Sequence, residues 1–348
     1  TRYSSFRDFV ARTFSEATQQ AVDKALVFAA EKMEQYARYD GRPLLDHDVA
    51  VAEIVAREIG LGRNSTVAAI LHDIMRIVSK ERPEEVESLS RTIREEFGEP
   101  VLGIIVGLCK ISNIKLKVSK EQANDFRDML VSYSVDPRVI LIKLADRLEV
   151  MRSLDIFPVA KHRKKSWESM NLYAPIAHKL GLYALKSELE DLSMKRLHRE
   201  TYKEIAHKLN ETKRSRDKYI ADFISPLKKK LEDAGFKFTI KGRTKSIYSI
   251  WNKMNTKGVT FEQIYDLYAV RIIFDHEHNN KQETERDQCY HIFSIITGLY
   301  RYKADRMRDW VNYPKSNGYE ALHCTLMSNS GARVEVQIRS ERMNEIDE

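Results

Sequence analysis

Three groups of residues in this 348-residue chain combine types and spacing that could do chemistry. The first lies near the C-terminal end. Arg306, Arg308 and Asp309 lead into Tyr313-Pro314-Lys315-Ser316-Asn317-Gly318-Tyr319, and His323 follows. Pro314 and Gly318 bracket a turn, and Asn317-Gly318 favours positive φ. Such a turn is expected to expose Lys315, Asn317 and Tyr319. Tyr319 would offer a flat face for a base, and Lys and Arg charge for phosphates. Downstream, Val334, Val336 and Ile338 alternate with Glu335, Gln337 and Arg339, the period of a half-buried strand. A lone acid beside Arg on the polar face could hold a metal among phosphates. The alternative is an edge hairpin with a solvated charged face.

The second group is His47, the pair His72-Asp73, and Asp146, each on an expected helix. Together they form a nitrogen/oxygen ligand set for a hard or borderline divalent metal. None is diagnostic alone: a His-Asp dipeptide is common, and Asp146-Arg147 inside a helix can be a plain ion pair. The third is Lys241 to Met254, read as a Gly-containing turn at Gly242 running into a helix. Ser249 and Lys253 share a helix face, with Lys245 one turn earlier. Basic side chains above a helix N-terminus make a polyphosphate cradle. The spacing is not that of a Walker loop.

Helical spacing over residues 15–38, 48–59, 65–79, 83–97, 119–134, 138–153, 159–179 and 184–197 places the second group in an all-α region. Pro83, Pro100, Pro137 and Pro158 fall between helices as breakers or first-turn residues. A packed hairpin turned at Gly181, with His178 structural, follows as a mechanical link. A long helix spans about 200–234, and its Lys228-Lys229-Lys230 patch reads as a solvated face. From Gly235 the pattern changes: a strand over 236–240, the Lys241–Met254 segment, and a mostly apolar strand over 264–274. A polar loop, a helix near 288–300 and strands near 321–328 and 332–339 complete a mixed sheet. Asp266, on the apolar strand, needs a partner or a metal if buried. An Asp266–Arg271 pair or an exposed strand start is the alternative.

Composition is ordinary for a globular protein, with 31% charged and 43% hydrophobic residues, and the length suits two domains. The net charge of +7 is a mild excess that fits polyphosphate or RNA without requiring either. No apolar run approaches the ~20 residues that span a bilayer, and no signal-peptide pattern is present. Cys109, Cys289 and Cys324 are odd in number and widely spaced, which argues against a disulfide framework or zinc site and for a reducing cytoplasm. The ends carry no starting or terminating pattern, as expected of a fragment.

The run from Tyr313 to His323, with Glu335 to Arg339, resembles the synthetase domain of the RelA/SpoT family of alarmone enzymes. Those enzymes make and, in many members, degrade guanosine tetra- and pentaphosphate, (p)ppGpp. His47, His72-Asp73 and Asp146 resemble the ligands of HD phosphohydrolases, which in this family bind the manganese used to remove pyrophosphate. The resemblance departs in the hydrolase half. A hydrolytically competent member reads His-Asp-x-x-Glu-Asp, whereas this chain has Arg76 and Ile77 at the acidic positions. Val150 replaces the family's Asn after the distant Asp, and its basic pair is half kept as Arg38-Tyr39. A degenerate hydrolase, with a vestigial metal site, is the expectation.

The resemblance implies a multidomain, α then α+β chain: an HD-type helical domain over 1–155, a helical linker over 156–200, and a nucleotidyltransferase-like synthetase domain over 201–348. It implies a GTP diphosphokinase of the stringent response, moving the β,γ-pyrophosphate of ATP to the 3′-hydroxyl of GDP or GTP and releasing AMP. Asp266 and Glu335 would be catalytic and hold magnesium. Arg243, Lys245, Ser249, Lys253 and Arg271 would bind ATP. Lys315, Asn317, Tyr319, His323, Arg306 and Arg308 would bind the acceptor, with Arg306-Met307-Arg308-Asp309 close to the family's Arg-x-Lys-Asp signature. Ribosome and tRNA contacts would belong to C-terminal domains outside this chain, and no membrane role is expected. Two rivals are a bifunctional enzyme that also hydrolyses (p)ppGpp with manganese, and a non-catalytic module that binds alarmone or RNA.

Overall fold

A computed structural model describes residues 3–112, 136–264, 268–279, 282–315 and 318–347. The chain divides into two compact units, Thr1–Ala177 and His178–Glu348. Among the described residues, no helix is long and apolar enough to cross a membrane.

The first unit is helical: α1 Ser4–Thr13, α2 Glu16–Lys32, α3 Leu45–Glu53, α4 Arg63–Glu81, α5 Val86–Phe97, α6 Glu99–Ser112, α7 Pro137–Arg152, α8 Val159–Glu168 and α9 Ala174–Lys179. Local chemistry sets the ends. Ser15 accepts from the Thr18 amide to start α2, and Asp136 caps α7 just before Pro137, the first-turn position proline tolerates. Wide π-helical turns at Ile54–Ile59 and Ser169–Tyr173 extend α3 and α8. Gly60, at φ 83°, ends the first of these.

The sequence reading missed α1 and α6. α6 reads Glu-Pro-Val-Leu-Gly-Ile-Ile-Val-Gly-Leu-Cys-Lys-Ile-Ser, so nearly uniform apolarity hides its period. Val101, Leu102, Ile104, Ile105, Leu108 and Ile111 are all buried. A Cβ on Gly107 would lie 2.9 Å from Val139, so its absence lets α7 pack closely. The helix expected over 119–134 lies outside the described residues.

The second unit contains α10 Tyr183–Leu197, α11 Arg199–Asp233, β1 Phe238–Thr244, α12 Ile247–Lys257, β2 Tyr268–Phe274, α13 His276–Asn279, α14 Glu285–Leu299, β3 Arg301–Tyr302, β4 Arg308–Asp309, β5 Leu322–Met327, β6 Arg333–Ser340 and α15 Glu341–Asp347. The sheet runs β1-β2-β6-β5-β3, with β4 also on β5. Among the described residues only β2 and β6 pair in parallel, so the sheet is mixed.

Alternation decides which face is which. Val334, Val336 and Ile338 of β6, with Val270 and Ile272 of β2, join Leu227 and Leu231 of α11 and Ile292 and Ile296 of α14 in one core. The opposite side of β6 carries Glu335, Gln337 and Arg339. Because β6 lies between β2 and β5, the edge-hairpin alternative is excluded. Gly242 belongs to β1 and not to a turn. A Cβ there would come 2.6 Å from Ile220 of α11, so the glycine permits a close helix-on-strand approach. The Lys228-Lys229-Lys230 patch stays exposed on α11.

Candidate functional sites

In the first unit, a pocket of about 640 Å³ is lined by His47, His72, Asp73 and Asp146 together with Arg38, Arg76, Lys143, Arg147 and Lys165. His47 comes from α3, His72 and Asp73 from α4, and Asp146 from α7. His47 touches carboxylates through both nitrogens: Nε2 to Asp146 and Nδ1 to Glu149, each at 2.6 Å. Burial disfavours its charge, but the two carboxylates prevail and raise its pKa to about 10. His72 Nε2 lies 3.6 Å from Asp73 and 3.7 Å from Asp146.

Four donor residues, His47, Asp48, His72 and Asp73, place ligand atoms within 4.8 Å of one another. Asp48 is fully buried, neither of its oxygens has a hydrogen-bond partner, and its nearest His72 contact is 3.6 Å. Burial and then the charge of Asp73 push its carboxyl well above the usual range. Converging imidazole and carboxylate donors around an unsatisfied carboxyl fit a divalent cation. Built-in cations already face these acids. Arg76 Nε donates to Asp73 at 2.8 Å, Lys143 to Asp146 at 3.2 Å, and Arg38 to Glu149 at 2.7 Å. Burial resists the charge on Asp146, yet Lys143, His47 and His72 hold it well below the usual carboxylate range.

Sequence reasoning missed Asp48, Glu149, Lys143 and Lys165. Glu149 and Lys143 stand three residues either side of Asp146, a helical spacing that could have found them. Asp48 and Lys165 gave no such signal.

In the second unit, a cavity of about 390 Å³ collects Arg243, Lys245, Ser249, Lys253, Arg271, Lys315, Tyr319, His323 and Glu335. Tyr183, Gln337 and Arg339 also line it. Sheet register explains the convergence, since Glu335 pairs with Ala269, Gln337 with Arg271 and His323 with Gln337. Side chains on paired positions share a face. Glu335 lies 3.5 Å from Lys245 Nζ and 3.7 Å from His323 Nδ1, and it accepts from Gln337 at 3.0 Å. Burial pushes its pKa up, but Lys245, Gln337 and His323 outweigh that and hold it below the usual range.

Two expectations are corrected here. Tyr319 is not exposed; it is 7% accessible. Its hydroxyl accepts from Arg339 at 2.7 Å and shares a 2.7 Å hydrogen bond with His323 Nε2. Lys315 Nζ and the Arg339 guanidinium each lie 5.2 Å from its ring centroid, and Tyr183 meets it edge-on at 6.1 Å. Gly318 does adopt φ 85°, but the turn folds Tyr319 inward over β5. Nor is the N-terminus of α12 an open cradle. Ser246 accepts from the Ser249 amide, and Asp191 accepts from Tyr248 at 2.8 Å and Ile247 at 3.3 Å. Any polyphosphate here meets basic side chains, not free helix amides.

Arg306 and Arg308 do not line this cavity. Arg308 is exposed and donates to the Asp305 and Met307 carbonyls, although β4 pairs Arg308 with His323. Asp266 and Asn317 lie outside the described residues.

The sequence and its parts have known counterparts. An HD domain matches residues 25–183, and a region found in RelA / SpoT proteins matches residues 242–348. The chain combines an HD domain with a RelA/SpoT region and is homologous to SpoT/Rel family proteins. It is 35% identical over 94% of its length to a guanosine-3′,5′-bis(diphosphate) 3′-pyrophosphohydrolase of Aquifex aeolicus, covering 44% of that protein. It is 33% identical over 99% of its length to the bifunctional (p)ppGpp synthase/hydrolase SpoT of Escherichia coli, covering 47% of it. A GTP pyrophosphokinase of Myxococcus xanthus is 34% identical over 94% of the chain and 41% of its own length. The chain thus spans less than half of these relatives.

Proposed function

We propose that this RelA/SpoT homologue acts in (p)ppGpp metabolism, in the cytoplasm, with pyrophosphoryl transfer from ATP to GDP or GTP performed in the second unit. The observation that carries the reading is the cavity of that unit. Six cationic side chains, Arg243, Lys245, Lys253, Arg271, Lys315 and Arg339, line it around one carboxylate, Glu335, among the described residues. A polyphosphate donor supplies the negative charge such a site needs. Phosphoryl-type transfer depends mainly on placement and charge stabilisation.

In this reading Arg243, Lys245, Ser249 and Lys253 orient the ATP phosphates, and Arg271 extends the same basic face. Glu335, with Asp266, would hold magnesium on those phosphates, which lowers the charge the attacking 3′-oxygen must approach. The depressed pKa of Glu335 suits it to metal ligation better than to proton abstraction. Tyr319 contributes as a buried hydroxyl aligning Arg339 and His323, while Lys315 stands above its ring beside the acceptor site.

A second reading, removal of the 3′-pyrophosphate from (p)ppGpp, is favoured by the first pocket and by the names of the relatives. His47, His72, Asp73 and Asp146 would hold a divalent ion such as manganese, with Asp48 behind them. Against rapid turnover stands Arg76, which occupies an acidic position of the family pattern and pairs with Asp73.

One experiment separates the readings. The protein is incubated with ATP, magnesium and GDP or GTP, then separately with (p)ppGpp and manganese, and nucleotides are resolved by ion exchange. AMP rising in step with a guanosine tetra- or pentaphosphate peak is the expected result. Loss of added (p)ppGpp would establish the bifunctional reading. No conversion in either mixture would leave binding alone.

A further inference from the structure

We propose that Asp191 of α10 is a positioning residue for the nucleotide cavity, fixing α12 so that Lys245, Ser249 and Lys253 present a common face to the donor phosphates. The proposal rests on the synthetase reading of that cavity. Asp191 does not line the cavity. It acts through the first turn of α12, whose amides it holds from a helix more than fifty residues earlier in sequence. The local cap, Ser246, satisfies only the Ser249 amide. Without Asp191 the Ile247 and Tyr248 amides lose their acceptors, and the turn carrying Ser249 loses its anchor.

Two further observations point the same way. The Asp191 carboxyl is largely withdrawn from water, a costly place for a charge unless hydrogen bonds and a cation repay it. Burial raises its pKa on balance, and the two amides and Arg243 offset that only in part. Arg243, itself in the cavity, is therefore within the electrostatic reach of Asp191. Eight residues before Asp191, the same helix supplies Tyr183, which lines the cavity and meets Tyr319 edge-on. The helix read from sequence as a mechanical link is thus a wall of the site at one point and its brace at another.

The test compares wild type with Asp191→Ala and Asp191→Asn, which keeps one acceptor oxygen without the charge. Hydrogen exchange at the amides of residues 247–249 is followed alongside steady-state kinetics in ATP and GTP. Faster exchange in Asp191→Ala is expected, with kcat/KM for ATP down roughly tenfold, the scale of a lost cap. KM for GTP should be unchanged, the Tm nearly so, and Asp191→Asn intermediate. Unchanged exchange, or equal losses toward both nucleotides, would overturn the proposal. If wild-type protein neither binds MgATP nor forms product, the synthetase reading falls and the positioning role with it, whatever the exchange shows.

Discussion

The two pockets are built from similar side chains and differ in how their charges are matched. In the first, three acids at or beside the metal cluster already have a cation from the chain, Arg76 on Asp73, Lys143 on Asp146 and Arg38 on Glu149, whereas Asp48 has no hydrogen-bond partner among the described residues. Arg147 and Glu168 add a further pair at 2.9 Å. In the second, cations outnumber the single described acid, Glu335. A charge-matched pocket can stand by itself, because buried ions are tolerated when paired. The contrast is between a pocket whose acids mostly pair with cations of the chain and one whose cations outnumber its described acid, the feature on which the proposed polyphosphate site rests.

The largest expected effect breaks the second pocket at its acid. Glu335→Gln should lower AMP release by about 10³-fold, the scale of losing a charge-stabilising group. Equilibrium binding of ATP should persist, measured with the nucleotide in the absence of acceptor. Equal activity in Glu335→Gln would mean the carboxylate serves only to hold Lys245.

Next, Arg76→Glu challenges the matching in the first pocket. It removes the cation from Asp73 and returns an acid to the family's position. Manganese affinity, read as free Mn²⁺ by electron paramagnetic resonance, should tighten by roughly tenfold or more. No change would show that Arg76 does not compete with the metal.

A pH series sharpens the comparison further. Burial, then Arg147 and Lys143, hold Lys165 down at about 8, so it is charged below that pH and neutral above it. An anion in the first pocket should favour the charged form. Inorganic pyrophosphate, titrated calorimetrically, should bind wild type more tightly than Lys165→Met at pH 7, by up to about tenfold. The ratio should approach one by pH 9.5.

The smallest effect concerns the scaffold of the second pocket. Gly242→Ala would press a Cβ toward Ile220 at 2.6 Å, and the isoleucine can shift in part. Destabilisation of about 1 kcal/mol is expected by urea unfolding, at the low end for overpacking. A neutral result would mean that α11 does not need this close approach to β1.

Much of this architecture was legible in the sequence. The alternation of Val334 to Arg339 assigned the two faces of β6 correctly, because a strand's period of two leaves little freedom when one face is buried. Helical spacing located α4, α5, α11 and α14 to within a few residues, while α2 stops at Lys32, six residues short of the expected end. It failed for α6, since its exposed side includes Gly103 and Val106, so apolar and small residues run nearly all round the helix and no polar stripe marks the period. It also placed Gly242 in a turn, where the glycine answers a neighbour in α11 that is remote in sequence.

For the sites, the residue types and their order identified the candidates: His47, His72, Asp73 and Asp146 in one unit, and Lys245, Ser249, Lys253 and Glu335 in the other. Their local environments were decided elsewhere. Tyr319 looked exposed because its own turn is polar, yet Arg339, His323 and Tyr183 enclose it. The start of α12 looked like an open anion site because only Ser246 was nearby in sequence, yet Asp191 reaches it from α10. Sequence determines chemistry and local period, which depend on neighbours along the chain. Whether a hydroxyl is enclosed, an amide capped or a carboxylate matched depends on groups brought together across long loops, and only the tertiary structure decided that.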